Sequence, residues 1–129
     1  MNEKYIIADN KVWNVEKENG VAGYQFGIRI PYYCGVPYSQ IDMIRIKMDG
    51  TEVAQEDMRI ISKEGVEFKM SELVSVNTFY WEYGEKLQVF VNKAGGLDAG
   101  THRLDVEVGI DVIYAPKGFG SKSYAEFTI

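Results

Sequence analysis

The side chains able to do chemistry are few and scattered. His102 is the one histidine of the 129 residues, and Cys34 is the one cysteine. A thiol nucleophile needs an adjacent base or a depressed pKa. His102 is the base on offer, and nothing in the sequence brings the two together. A transition metal wants several nitrogen or sulfur ligands, more than one His and one Cys supply. His102 follows Gly100-Thr101 and opens the inward set of an alternating run, a place that suits a structural or rim role. Carboxylates are plentiful but not paired. Glu82 and Glu85 flank Gly84, while Asp105, Glu107 and Asp111 share the wet side of one run. Glycosidic chemistry needs carboxylates opposed across a cleft with split pKa values. Calcium-loop, phosphate-loop and Gly-x-Ser-x-Gly patterns are missing as well. The chain is therefore expected to carry no catalytic, cofactor or metal residues of its own.

Two aromatic segments stand out instead. Pro31-Tyr32-Tyr33-Cys34-Gly35-Val36-Pro37-Tyr38 is stiffened by its prolines, and Phe79-Tyr80-Trp81-Glu82-Tyr83-Gly84-Glu85-Lys86 is equally dense. In a strand half of such rings face inward, so Phe79, Trp81 and Tyr83 can be core filling. The competing reading is a contact surface, where Tyr and Trp anchors are enriched. On that reading the partner interface comprises Pro31, Tyr32, Tyr33, Gly35, Pro37, Tyr38, Trp81 and Tyr83, with Tyr32, Tyr33 and Tyr38 at or near the surface. A sugar-stacking platform is the other use such rings have.

The elements that position these residues are strands. From Thr101 to Tyr114, His102, Leu104, Val106, Val108, Ile110, Val112 and Tyr114 alternate with Arg103, Asp105, Glu107 and Asp111. Side chains flip faces at each step of a strand, so this is a strand with one buried and one wet face. The same period marks Tyr24 to Ile30, Ile44 to Met48, Leu87 to Val91, Val66 to Met70 and Ala125 to Ile129. Lys4 to Ala8 and Val12 to Lys17 are weaker candidates. Asn19-Gly20 and Asp49-Gly50 provide the positive φ angles of tight hairpin turns, and Lys63-Glu64-Gly65 marks a third hairpin. Residues 93–100 form a longer loop. Ser71 to Val76 suggests one helical turn, capped by Ser71. Nine tyrosines, six phenylalanines and two tryptophans suit pleated surfaces. The expected fold is all-β: a two-sheet antiparallel sandwich, immunoglobulin-like or jelly-roll-like, over residues 1–129 as one domain, with at most one short helical turn.

A formal charge of −5 and the absence of any basic run exclude counterion-releasing nucleic-acid binding and disfavour anionic membranes. No apolar stretch approaches the roughly 20 residues that span a bilayer. Met1-Asn2-Glu3-Lys4 lacks the order of a signal peptide, and a lone cysteine fits a reducing compartment. A cytoplasmic location is expected.

Arg29-Ile30-Pro31-Tyr32-Tyr33-Cys34-Gly35-Val36-Pro37, then Trp81-Glu82-Tyr83-Gly84-Glu85-Lys86, then Gly95-Gly96-Leu97 with Gly100-Thr101-His102 resemble the small β subunit of bacterial C-glycoside deglycosidases. The likeness runs from about Tyr5 to the C-terminus, and Cys34 stands where relatives of this kind carry a basic residue. It implies a larger catalytic α subunit, a TIM barrel of the xylose-isomerase type, holding a divalent metal, commonly manganese, in a higher hetero-oligomer. It also implies a substrate, a 3-oxo-C-glycoside of an aromatic, flavonoid-type aglycone. The 3-keto group acidifies the C2 proton, a base removes it, and the aglycone leaves C1 by elimination, with the metal favouring the enolate. The implied role here is that of an accessory subunit in a lyase complex. A stand-alone carbohydrate-binding module and a purely structural interaction domain are the alternatives.

Overall fold

The computed structural model describes residues 6–30, 35–111 and 119–129. Among them run eleven strands: β1 (Ile7–Lys17), β2 (Gly20–Ile28), β3 (Val36–Pro37), β4 (Ile41–Met48), β5 (Thr51–Glu52), β6 (Met58–Ile61), β7 (Glu67–Lys69), β8 (Tyr80–Trp81), β9 (Leu87–Asn92), β10 (Thr101–Ile110) and β11 (Phe119–Thr128). They form a five-stranded sheet in the order β1-β2-β9-β6-β7, a four-stranded sheet in the order β11-β10-β4-β5, and a small β3-β8 pair. All the pairings are antiparallel. The all-β, sandwich-like architecture is as the alternation requires.

Alternation decides what the sheets bury. On β10, Leu104, Val106, Val108 and Ile110 are buried. They face the same core as Ile44 and Ile46 of β4, Tyr24, Phe26 and Ile28 of β2, and Val89 and Val91 of β9. The inward sets of both large sheets thus belong to one apolar cluster. The continuation of this run to Val112 and Tyr114 lies outside the described residues.

The turns explain the register. Asp49 and Gly50 both have positive φ, 53° and 83°, so Met48 pairs with Thr51 across a two-residue primed turn. At the β1–β2 hairpin Lys17 pairs with Gly20, and Gly20 rather than Asn19 takes the positive φ. The turn residues there are Glu18 and Asn19, one position earlier than the Asn-Gly pair suggested. Gly65, with φ 87°, closes the β6–β7 hairpin.

Four details depart from the sequence reading. Among the described residues there are three 3-10 turns (Tyr38–Gln40, Gln55–Asp57 and Met70–Ser75), not one. Ser71 lies inside the last of them and does not cap it; instead the Lys69 N–H donates to the Glu72 carboxylate at 2.6 Å. Val66 falls before β7 and is exposed, because the Gly65 turn leaves it on the rim. β1 begins at Ile7, and Asp9 takes φ 58° where its register against β2 shifts. That bulge hides the alternation which reads cleanly elsewhere.

Candidate functional site

The aromatic segments meet at the end of the sandwich where β10 finishes. The Asp111 N–H donates to Gln40 there, beside the 3-10 turn that begins at Tyr38. Val36 pairs with Trp81 and Pro37 with Tyr80. The Tyr38 N–H donates to Phe79 O and the Ser39 N–H to Val76 O, both at 2.9 Å. Inside this frame the Tyr38, Phe68 and Phe79 rings form a triangle with centroids 5.0–5.9 Å apart. Edge-on and tilted contacts of this kind suit the ring quadrupoles. Burial drives the Tyr38 hydroxyl pKa well above its ordinary value.

Two proposed contact residues are corrected by this packing. Tyr38 and Trp81 are buried, so neither offers a surface to a partner. Trp81 is the inward half of a two-residue strand and joins the main core, and its indole N–H donates to Glu85 O at 3.1 Å. Its neighbour Tyr80 points outward instead, 51% exposed. Tyr83 is also at the surface, 59% exposed, and not buried in the core with Trp81. The Glu85 N–H donates to Glu82 O, and Gly84 carries φ 84°. A positive φ at the third position is what a type II turn demands, which leaves Tyr83 at its outer corner. Gly35 is small because its neighbours are close: a Cβ there would lie 3.1 Å from Trp81 O. Pro37 is half-buried beside it. Pro31, Tyr32, Tyr33 and Cys34 lie outside the described residues. The exposed rim therefore presents Tyr80 and Tyr83 on a rigid base of Trp81 and Tyr38. That Tyr80 rather than Trp81 is the exposed ring is not legible in the sequence, because a two-residue strand is too short to show which side faces in.

The other candidates are engaged elsewhere. His102 sits at the opposite end of β10, its side chain 13% exposed, with both ring nitrogens occupied: Nδ1 lies 2.6 Å from Asp49 Oδ2 and Nε2 lies 2.7 Å from Asp98 O. Asp105 meets Arg103 at 3.2 Å, and Glu107 lies 3.9 Å from both Arg45 and Lys122. These are neighbours on the wet face of one sheet, not carboxylates opposed across a cleft. Among the described residues no three His, Cys, Asp or Glu side chains gather as metal ligands. Among them also, no helix is long and apolar enough to cross a membrane.

Fold and rim together define a β-sandwich protein with an aromatic end. Comparison with known proteins makes this specific. A family model described as C-glycoside deglycosidase beta subunit matches residues 2–114. The chain is also 30% identical, over 103 residues, to a protein of Eubacterium cellulosolvens named C-glycoside deglycosidase beta subunit. That alignment covers 79% of this chain and 69% of the relative. The chain belongs to the C-glycoside deglycosidase beta subunit family. Membership in a beta subunit family implies a partner subunit.

Proposed function

We propose that this chain is the accessory subunit of a heteromeric C-glycoside deglycosidase, and that its Tyr80–Tyr83 rim docks on the catalytic partner. The family match over residues 2–114 carries the reading. The rim supports it, because exposed tyrosines on a rigid base lose little conformational entropy on binding and bury much area. Catalysis belongs to the α subunit, a metal-dependent TIM barrel of the xylose-isomerase type with manganese as the expected ion. The substrate is a 3-oxo-C-glycoside of a flavonoid-type aglycone, cleaved by elimination in a cytoplasmic lyase complex. In this chain His102 is committed to Asp49 and Asp98, and the carboxylates beside it on β10 are committed to Arg and Lys partners. Its contribution is support: closing a wall of the partner's site or holding the oligomer together.

The test is reconstitution with a 3-oxo-C-glucoside, following free aglycone. Turnover is expected to need both subunits and to stop with chelator, the metal fractionating with the partner. Aglycone release by this chain alone, surviving repurification, would overturn the reading.

A further inference from the structure

His102 is held between two groups that only accept hydrogen bonds. The Asp49 carboxylate faces Nδ1 at 2.6 Å, and the Asp98 backbone carbonyl faces Nε2 at 2.7 Å. A neutral imidazole carries one N–H and satisfies one of them. An imidazolium carries two and satisfies both. Three separate pieces of chain converge on this ring. Asp49 is in the β4–β5 turn, where its other oxygen accepts the Arg103 N–H at 2.8 Å. Asp98 is in the 93–100 loop, whose first half is tied by the Gly95 N–H to Val21 O and by the Asn14 amide, which both donates to Leu97 O and accepts from the Leu97 N–H. The end of the loop is tied by the Gly100–Ile129 backbone pair, and His102 holds the stretch between. Phe127 of β11 stacks on the imidazole, centroids 5.6 Å apart.

We propose that His102 acts as a proton-dependent latch: as an imidazolium it fastens the β4–β5 turn and the 93–100 loop to the start of β10, and loss of one proton with rising pH releases one of the two. The latch forms a wall of a cleft of about 520 Å³ between the sheet ends, lined also by Tyr24, Met48 and Leu97. Releasing Asp98 loosens the last part of the loop, between the Asn14-clamped Leu97 and Gly100, beside that cleft.

The charged surroundings favour the cation. Asp49 from the turn and Asp98 from the loop face the ring, and Glu52 of β5 and Asp57 of the 3-10 turn before β6 line the same cleft. Among the described residues Lys93 is the one cation besides His102 itself that lines it, while the Arg103 guanidinium is turned onto Asp105. Phe127 on the β11 side is uncharged. Hydrogen bonding to Asp49, then to Asp98, holds the imidazole pKa above its ordinary 6.5, and the same bond holds Asp49 below 3.8. A group whose pKa is raised by folding contributes stability that is complete below its unfolded pKa and is lost as pH climbs through the folded value. Asp49 contributes in the opposite sense, its share disappearing as pH falls through its own lowered value. The latch is therefore closed between those limits and opens on the alkaline side through His102.

With one histidine in the chain, ring-nitrogen NMR of the full-length protein labelled in histidine reads a single residue. Both nitrogens are expected to be protonated at pH 6.5, with a midpoint above that value and a lower one in Asp49→Asn. Asparagine also tolerates the left-handed backbone of position 49. Amide protection of Asp98 to Gly100, corrected for intrinsic exchange, should fall by up to about tenfold per pH unit beyond the midpoint. It should stay flat in His102→Gln, which cannot titrate. A neutral ring at pH 6.5 would overturn the latch, as would loop protection indifferent to the titration. Should either variant fail to fold, the wild-type titration and protection profile decide alone.

Discussion

Tyr80 and Trp81 are adjacent in β8, and Trp81 is wholly buried while Tyr80 is half exposed. Their shared pairing with Pro37 and Val36 fixes which ring faces in. One is foundation and the other is surface. The two should respond to substitution in opposite ways. Tyr80→Ser with Tyr83→Ser should leave the fold intact and weaken association with the partner subunit, measured by copurification or titration. Trp81→Ala should cost about 3–5 kcal/mol of stability, because a buried ring is lost and its cavity stays unfilled. A doubly substituted rim that binds as tightly as wild type would move the interface elsewhere.

Arg103 and Leu104 give the corresponding test for the large sheet. Leu104 is buried between the sheets, so Leu104→Ala should cost about 2–5 kcal/mol in chemical denaturation. The Arg103 side chain lies outside, on Asp105 and over the Tyr124 ring at 4.2 Å. Its replacement by Ala should cost less than about 1 kcal/mol, as exposed pairs usually do. Equal losses would mean a shifted register.

This contrast also shows what the sequence reveals. β10 reads directly because it is long enough to repeat the alternation, with β11 in register along its whole length and β4 in register from Leu104 to Gly109. Asp49-Gly50 reads directly because a primed turn has a chemical requirement that those residues meet. β3 and β8 span two residues each, so no period exists to tell Trp81 from Tyr80. Phe90 was hidden for another reason. It falls on the outward side of β9 between Val89 and Val91, yet it is buried there, with Lys17 4.3 Å above its ring. That cover comes from β1, across a bulge and two strand pairings, and leaves no local trace. His102 was legible as a rim residue, but its partners lie four residues away at Asp98 and 53 away at Asp49.

Glu107 tests the wet face itself. Its contacts with Arg45 and Lys122 are both 3.9 Å, longer than good charge-assisted hydrogen bonds. Glu107→Gln should change stability by no more than about 0.5 kcal/mol and leave turnover of the reconstituted complex as it was. A large loss of turnover with unchanged stability would make this face part of the working surface.

Two glycines separate backbone strain from collision. At Gly50 φ is 83° and a Cβ would meet nothing within 4 Å. Gly50→Ala should therefore cost only the left-handed penalty of an L-residue, about 1–2 kcal/mol. Gly23 sits in the middle of β2, paired with Asn92 of β9 and beneath the Phe90 ring. A Cβ at Gly23 would overlap the Val91 carbonyl oxygen and stand 2.9 Å from Phe90 Cζ. The ring can swing away, but the carbonyl is fixed in the sheet that β2 and β9 share. Relief requires the two strands to part, which sacrifices ladder bonds at the centre of the five-stranded sheet. Gly23→Ala should cost clearly more than Gly50→Ala in denaturant melts, and should raise amide exchange at Tyr24 and Val91 first. Replacing Phe90 by Leu in the same chain should recover little, because the backbone contact remains. A full rescue by that second change would mean that the ring, not the carbonyl, is the obstacle.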